Sequence, residues 1–302
     1  MHEEDEDQDE QDNGEQEAPE PLTHEVLSEK LSLLCKTGSG LAHAYVRADL
    51  QSLSLGDVSV LSTFVHLRYL DVSNNKISDI SCLNNLSQLI VLKADHNLLQ
   101  SASIAPLAYL QVLNLAHNNI TTTEGITHPL LENLDLSFNQ ITELSDLSET
   151  NLPTLTTLDC HGNALTGARN INIPTLQKLY LATNQINTLE GLGHLTQLTT
   201  LHLRENQLKT LDGLTEQMSA LQYINLRGNP IEDIKEVAKL QCLPFLRALI
   251  LSECPVCETD EYRLEVLIAI RTLERLDKDV YEQDERQDAE EMAAQRQPVT
   301  DD

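Results

Sequence analysis

The sequence predicts an α/β fold, a solenoid in which short repeats stack their strands into one parallel sheet. A template, L-x-x-L-x-L-x-x-N-x-L, recurs along the chain at steps of 21 to 24 residues, a spacing typical of stacked repeats. The template asparagines are Asn75, Asn97, Asn118, Asn139, Asn163, Asn184, Asn206 and Asn229. A ninth copy has Cys254 in this column, and an earlier stretch, Leu50, Leu53 and Leu55, has Val58 there. One continuous array predicts a single solenoid with tails.

The template itself explains the strands of the predicted sheet. In LRYLDVSNN, residues 67–75, Leu70 and Val72 are two apart and point to one side of a strand, while Tyr69 and Asp71 point to the other. Stacked copies therefore enclose a leucine core, and each repeat is stable only against its neighbours. The asparagine follows the strand, where its amide can pair with backbone groups of its own and the adjacent coil. This pattern is the signature of a leucine-rich repeat.

Composition divides the chain into an array and two acidic ends. Residues 1–20 carry 11 acids and no Lys or Arg, and residues 277–302 carry 10 acids against three basic residues, which leaves −10 of the formal charge of −28 for the body. Such ends cannot bury enough apolar surface to offset their ordering entropy. The predicted segments are a disordered tail over 1–21, a capping segment over 22–47, the repeat array over 48–261, a cap over 262–277, and an acidic tail over 278–302 that could form an exposed helix.

The segments between the strands predict the convex side. Repeats of 21 to 22 residues leave room there for short 3₁₀ turns or tight coil, until residues 231–243, IEDIKEVAKLQCL, show a helical pattern. Residues 262–277, YRLEVLIAIRTLERLD, predict an amphipathic helix leading to Leu273 and Leu276. We expect it to cover the last leucines of the core, as a terminal cap must.

The sequence excludes several classes of partner and compartment. We expect no signal peptide and no membrane helix, because residues 1–21 lack an apolar stretch and no run approaches about 18 apolar residues. Six cysteines without an export signal predict a reducing compartment and free thiols. Nucleic acid is not expected as a partner, because its binding needs a basic footprint.

No group of residues predicts an enzyme, a cofactor site or a metal site. The motif CPVC, residues 254–257, has the spacing of zinc and redox sites, but no second pair accompanies it, so a structural role is favoured. Residues 36–42, KTGSGLA, lack the order of a phosphate-binding loop. Histidines near the strand ends raise the alternative of a metal ladder, yet their template positions differ, which favours surface histidines. They are His96, His117, His161 and His202.

The outward strand positions predict a partner-binding concave face. In the first half of the array they include Asp71, Asp95, Asp135 and Asp159. In the second half they include Lys178, Tyr180, His202, Arg204, Tyr223 and Arg227. These six could be ordinary solvated sheet positions, but a basic and aromatic cluster on an acidic chain is typical of a protein interface.

Two resemblances refine these expectations. The repeat length and the closing residues 262–277 resemble the phosphatase-regulator type of leucine-rich repeat, a subfamily of intracellular, non-catalytic scaffolds. Residues 31–46, LSLLCKTGSGLAHAYV, followed by HLRYLDVSNN, LQYINLRGN and LERLDKDVYEQDER, resemble a family of radial-spoke proteins of motile cilia and sperm flagella. That resemblance implies a structural subunit at the head of the third spoke, with other spoke proteins as partners in one large complex. It implies a place in the cytoplasm, within the cytoskeleton of the axoneme. A scaffold of protein phosphatase 1 stays open as the alternative.

Overall fold

A computed structural model of the protein describes residues 18–38 and 40–296. Its strands are β1 (Glu20–Pro21), β2 (Leu31–Lys36), β3 (His43–Asp49), β4 (Leu55–Asp57), β5 (Tyr69–Asp71), β6 (Val91–Lys93), β7 (Val112–Asn114), β8 (Asn133–Asp135), β9 (Thr157–Asp159), β10 (Lys178–Tyr180), β11 (Thr200–His202), β12 (Tyr223–Asn225), β13 (Ala248–Ile250), β14 (Arg275–Leu276) and β15 (Asp279–Val280). Its α-helices are α1 (His24–Lys30), α2 (Ile234–Ala238), α3 (Tyr262–Ala269) and α4 (Gln283–Arg296).

The strands confirm the predicted solenoid. A 13-stranded sheet runs β15-β14-β13-β12-β11-β10-β9-β8-β7-β6-β5-β3-β2, so repeats adjacent in sequence are adjacent in space. The pairing is parallel from β3 through β14, and an antiparallel hairpin closes each end. Leu70 lies opposite Leu92, and Leu92 opposite Leu113, because every strand is in the same register. The central leucines therefore form one column that faces the interior.

The core is one continuous cluster that follows this column from Leu22 to Ala289. In the repeats of β5 to β13 the central residue of the strand and the apolar residues just before and after the strand are fully buried. In the repeat of β7 these are Leu110, Leu113 and Leu115. Burying one leucine side chain stabilises a fold by roughly 1.5 to 3 kcal/mol. Because each leucine packs against the coils before and after it, the stability of a repeat depends on its neighbours.

The convex side changes along the stack as its sequence pattern predicts. Early repeats use 3₁₀ turns at Ser59–Thr63 and Ser81–Asn85 or coil without regular structure. After Asn229 the longer repeat forms α2, which begins at the Asp233 cap and continues into a 3₁₀ turn at Lys239–Cys242. A last 3₁₀ turn follows at Pro255–Glu258. Across the residues that the structure describes, no helix is both long and apolar enough to cross a membrane.

The first repeat aligns with the template at different residues from those that Leu50, Leu53 and Leu55 predict. Ala48 of β3 pairs with Leu70, so the residue in the asparagine column is Leu53 and not Val58. The N–H groups of Leu53 and Leu55 both donate to Asn75 Oδ1, at 3.0 Å each. The interpretation was wrong because β3 begins at His43, inside the expected capping segment, where its pairing with β2 fixes the strand.

The N-terminal end of the stack is covered by α1 and by a short strand. Residues 1–17 of the acidic tail expected over 1–21 lie outside the described residues. Within the rest of that range, Glu20 and Pro21 form β1, which pairs in parallel with β4. Thr23 then caps α1 by accepting from the N–H of Val26, and Leu27 of α1 is buried against the core.

The C-terminal cap differs from the single helix expected over 262–277. Helix α3 ends at Ala269, and Leu276 enters β14, which adds a strand beside β13. In the tail expected over 278–302, α4 packs against α3 instead of standing free. Tyr281 is buried between them and donates from its hydroxyl to the carbonyl of Arg263, at 2.8 Å. The acidic helix is held because Arg263 pairs with Glu285 across this contact, at 2.5 Å.

Candidate functional site

The asparagine column joins neighbouring coils through buried hydrogen bonds. Asn118 Nδ2 donates to the carbonyl of Ala94 in the preceding coil, at 3.0 Å, and to Leu115 in its own coil, at 3.0 Å. Its Oδ1 accepts from the N–H of Leu99, at 2.9 Å. The same bridging pattern recurs at the other template asparagines, Asn75, Asn97, Asn139, Asn163, Asn184, Asn206 and Asn229. Each amide satisfies backbone groups that the turn would otherwise leave unpaired.

Cys254 takes the asparagine position in the ninth coil and keeps the donation to the preceding coil, but the N–H of Ile231, which an asparagine oxygen would accept there, bonds to the carbonyl of Asn229. Cys254 Sγ donates to the carbonyl of Leu226, at 3.2 Å, and burial raises the pKa of the thiol to about 11. Cys257 Sγ contacts the carbonyl of Leu251, at 2.7 Å. All six cysteines are described and carry no disulfide. Over residues 18–38 and 40–296, no cluster of three or more His, Cys, Asp or Glu side chains could hold a metal ion.

Asp277, directly after β14, binds the backbone at the end of β13. Asp277 Oδ1 accepts from the N–H groups of Leu251 and Ser252, at 2.8 and 2.7 Å, and Oδ2 accepts from the Tyr262 hydroxyl, at 3.2 Å. Asp277 therefore satisfies the amides at the end of β13. Sequence reasoning missed this role because Asp277 lies outside the repeat template.

The position before each template asparagine, and the one before Cys254, adopts a left-handed backbone. Its φ lies between +52° and +69° at Asn74, His96, His117, Phe138, Gly162, Thr183, Glu205, Gly228 and Glu253. Glycine and asparagine suit this conformation, whereas a bulky side chain there is uncommon. The column nevertheless projects rings at successive repeats, and these rings meet one another.

We call His96, His117, Phe138 and His161 the aromatic ladder. Ring centroids are 4.1 Å apart between His96 and His117, 4.3 Å between His117 and Phe138, and 4.2 Å between Phe138 and His161. The first two pairs are stacked and the third is edge-to-face. The sequence indicated separate surface histidines and missed Phe138. The available signal was the occurrence of rings at the same or adjacent template positions in successive repeats.

The first half of the concave face is acidic, with its carboxylates held by local contacts. Asp135 Oδ1 accepts from the N–H and the hydroxyl of Ser137, at 3.0 and 2.7 Å. Asp159 lies beside Asp135 in register, and its pKa is raised by burial and, to a smaller extent, by that neighbouring carboxylate. Lys93 Nζ lies 3.7 Å from Asp71. Of the four predicted positions, Asp71, Asp135 and Asp159 lie at the matching ends of β5, β8 and β9, whereas Asp95 lies two residues after the end of β6.

The second half brings the predicted aromatic residues into one row. We call Tyr180, His202 and Tyr223 the aromatic row, because their ring centroids are 4.8 and 5.0 Å apart on β10, β11 and β12. Burial lowers the pKa of His202 and raises that of Tyr223, so both rings are favoured in their neutral forms. Lys178 lies on β10 beside this row and is exposed.

The two predicted arginines of this surface are neutralised by acids that sequence reasoning missed. Arg204 Nε lies 2.9 Å from Glu205 Oε1, and Arg227 Nε lies 2.8 Å from Glu253 Oε2. Both glutamates occupy the left-handed column, which brings them to the rim of the concave face. The surface is therefore less basic than its sequence indicates.

Stacked three-residue parallel strands, each followed by an asparagine that bridges two coils, define the protein as a leucine-rich repeat protein. Family models agree: one described as "Leucine-rich repeat" matches residues 170–300, and one described as "Leucine Rich repeats (2 copies)" matches 109–149 and 129–174. Among solved structures, the chain resembles an LRR protein of Leptospira interrogans, with TM-score 0.62 and 23% identity over 76% of this chain and 60% of that chain. It also resembles the functional domain of InlJ from Listeria monocytogenes, with TM-score 0.55 and 22% identity over 80% and 56%. These likenesses show the fold alone.

Curated relatives identify the family. Leucine-rich repeat-containing protein 23 of Bos taurus is 50% identical over 90% of this chain and 80% of its own length. The Homo sapiens protein of that name is 48% identical over 90% and 79%, and the Xenopus tropicalis protein is 48% identical over 92% and 79%. The chain belongs to the leucine-rich repeat-containing protein 23 family.

Proposed function

We propose that the protein is a non-catalytic subunit of an axonemal radial spoke, at the head of the third spoke, where it holds other spoke proteins in a fixed relation. The observation that carries the proposal is similarity along nearly the whole chain to the leucine-rich repeat-containing protein 23 family. The resemblance of residues 31–46 adds support, because no repeat period dictates that sequence. These residues span β2, most of β3 and the connection between them, at the end of the sheet.

The shape of the concave face supports an interaction role. Its outward side chains form a continuous surface with acids at one half and the aromatic row at the other. Tyrosine and arginine are favoured anchors at protein interfaces. We place partner binding on Lys178, Tyr180, His202, Arg204, Tyr223 and Arg227. A rigid sheet suits this task because few groups have to be ordered when a partner binds.

A scaffold for protein phosphatase 1 is the second candidate. The fold and the cap of α3 with β14 are equally suited to it, and its concave face would then bind a phosphatase catalytic subunit. The two proposals differ in what co-purifies with the tagged protein from ciliated cells. Spoke proteins would favour the first proposal, and a phosphatase subunit without axonemal proteins would favour the second.

The test is deletion of the gene in a cell that makes motile cilia or flagella, followed by tomography of the axoneme and rescue. We expect assembled axonemes that beat poorly and lack density at one spoke, both restored by the wild-type protein. Rescue should fail with Tyr180, Arg204, Tyr223 and Arg227 all changed to Ala. A matched control changes Tyr109, Phe245, Arg68 and Lys209, which are exposed elsewhere, and should rescue fully. Complete spokes and normal beating after deletion would instead favour the phosphatase scaffold.

A further inference from the structure

Beyond the six predicted positions, the concave face contains a depression over β12, β13 and β14. Ala248 lies in register between Tyr223 of β12 and Arg275 of β14. Residues in register on parallel strands project to the same side of the sheet. Because alanine has only a methyl group, it leaves a gap between a tyrosine ring and a long basic side chain. Tyr223, Ala248, Ile250, Arg275, Asp277 and Lys278 line this gap, which we call the C-terminal depression.

The floor of the C-terminal depression is apolar at Ile250, whereas the positions in register with Ile250 on the other strands are polar or aromatic. Ile250 is half-buried beside Asn225. The matching positions on β5 to β12 carry polar or aromatic side chains: Asp71, Lys93, Asn114, Asp135, Asp159, Tyr180, His202 and Asn225. Val280 lies opposite Arg275 in the antiparallel pair and is 48% exposed, which extends the apolar surface past the arginine.

The charge of the depression is positive although the chain is strongly acidic. Arg275 and Lys278 are exposed, and neither forms an ion pair with another residue between 18 and 296 that the structure describes. Asp277 lies between them but accepts hydrogen bonds from Leu251, Ser252 and Tyr262. Those bonds hold its carboxylate against the end of β13. Arg275 and Lys278 therefore remain available to an anionic ligand.

The negative charge on the first half of the concave face favours binding of an acidic partner segment at the C-terminal depression. Asp71, Asp95, Asp135 and Asp159 would repel an acidic segment laid over the first half of the concave face. Like charges placed against each other weaken association and suppress the wrong orientation. An acidic segment is thus directed to the C-terminal end of the sheet.

We propose that the C-terminal depression binds an acidic peptide segment of a partner protein, with one apolar side chain seated over Ala248 and Ile250. Carboxylates beside that side chain contact Arg275 and Lys278. Arginine suits the role because its guanidinium can donate two parallel hydrogen bonds to one carboxylate. This inference rests on the proposed function only in that the protein is an interaction scaffold. It adds the chemistry of the partner and four residues, Ala248, Ile250, Arg275 and Lys278, outside the predicted surface.

The test is selection of a random peptide library, displayed on phage, against the full chain. Peptides that bind the Arg275→Ala, Lys278→Ala double variant are removed in each round. We expect the enriched peptides to carry two or more acids beside a Leu, Ile, Phe or Trp. Enrichment of basic or uncharged peptides, or of none that distinguish wild type from the double variant, would overturn the proposal.

Enriched peptides are then synthesised and titrated by fluorescence anisotropy. The double variant should raise Kd by about tenfold or more, as expected for two charge-assisted contacts. Ala248→Tyr fills the gap and should weaken binding by a similar factor without changing charge. A control with the same charge loss, Arg68→Ala with Lys209→Ala, should stay within about twofold, because those residues lie away from the concave depression. If the control raised Kd as much as the double variant does, the weaker binding would be explained by net charge alone, and the proposed site would be rejected.

The peptide measurement is independent of the axoneme. Normal spokes after gene deletion would reject the radial-spoke proposal. The peptide titrations alone would still decide whether the C-terminal depression binds acidic peptides. Loss of spoke density after deletion, together with peptides that ignore Arg275 and Lys278, would keep the spoke assignment and reject the depression.

Discussion

The N–H of Ser252 donates a 2.7 Å hydrogen bond to Oδ1 of Asp277, one coil further along the chain. The same oxygen accepts from Leu251, at 2.8 Å. Elsewhere in the stack, asparagine amides bridge successive coils, and Cys254 keeps only the donation to the preceding coil, through its thiol. A single carboxylate outside the repeat template therefore ends the network at the C-terminal side.

Replacing this carboxylate should loosen the end of the stack. Asp277→Ala leaves the N–H groups of Leu251 and Ser252 without their acceptor, and φ is +59° at this position, which alanine adopts poorly. We expect a loss of about 1 to 3 kcal/mol in the free energy of unfolding, with faster amide exchange at both N–H groups. Asp277→Asn keeps an acceptor and tolerates the left-handed backbone, so it should lose less. Equal losses in the two variants would contradict this role of the carboxylate.

Removing one bridging amide should destabilise the centre of the array. Asn118→Ala removes the bonds to Ala94, Leu115 and Leu99 at a buried site. We expect a loss of roughly 1 to 3 kcal/mol, measured by urea denaturation, because the backbone groups left behind are poorly hydrated. Asn187→Ala is the control, since Asn187 is exposed, and should change stability by less than about 0.5 kcal/mol. A neutral Asn118→Ala would show that water replaces the amide.

Because Gly162 lies against Phe138, a side chain added at Gly162 should cause a steric clash. Gly228, which has a similar backbone but no close neighbour, is the matched control. A Cβ at Gly162 would lie 2.6 Å from Phe138 Cδ1, whereas a Cβ at Gly228 would find no atom nearer than 3.5 Å. Both glycines have nearly the same φ, +69° and +68°. Gly228→Ala should therefore cost only the backbone strain, about 1 to 2 kcal/mol, and Gly162→Ala should cost more in thermal or urea unfolding.

Phe138→Ala provides the complementary test of that contact. In this background the ring is absent, so Gly162→Ala should fall to the cost of Gly228→Ala. A double-mutant cycle gives the coupling energy between the two positions. Zero coupling would mean that the ring moves away without loss of packing in the aromatic ladder.

His128 predicts a pH dependence of stability. It is fully buried between β7 and β8, its Nδ1 accepts from the N–H of Leu107 at 3.2 Å, and no described residue pairs with Nε2. Burial lowers its pKa from 6.5 to about 4. Because the folded pKa lies below the unfolded one, its stabilisation is complete above pH 6.5 and is lost as the pH falls towards 4. The loss amounts to about 3 kcal/mol at most.

The measurement compares urea midpoints of wild type and His128→Phe between about pH 7 and pH 5. The variant has a lower stability at neutral pH, because Leu107 loses its acceptor, but a shallower pH dependence. His66→Gln, at an exposed site, should keep the wild-type slope. The pKa values of His117 and His202 are also lowered by burial, so the difference between wild type and variant isolates His128. Parallel slopes would contradict a buried neutral imidazole.

The sequence alone was sufficient for the repeat, the sheet and the two faces of each strand. Leucine spacing of two residues sets which side chains face inward, and the 21 to 24 residue period requires neighbouring coils to stack. That is why the sequence alone assigns Tyr180, His202 and Tyr223 to one face, on which they lie in one row.

The tertiary structure decided whatever depends on contacts between repeats or beyond the template. Pairing with β2 shifted the first repeat so that Ala48, and not Leu53, lies opposite Leu70. Stacking at a spacing of about 4.8 Å between strands brought Phe138 against His117, because the left-handed turn repeats at each coil. The end of α3 at Ala269 allowed Leu276 to join the sheet and Asp277 to reach β13. Periodicity fixes which way a side chain points, whereas its partners depend on the distances that stacking creates.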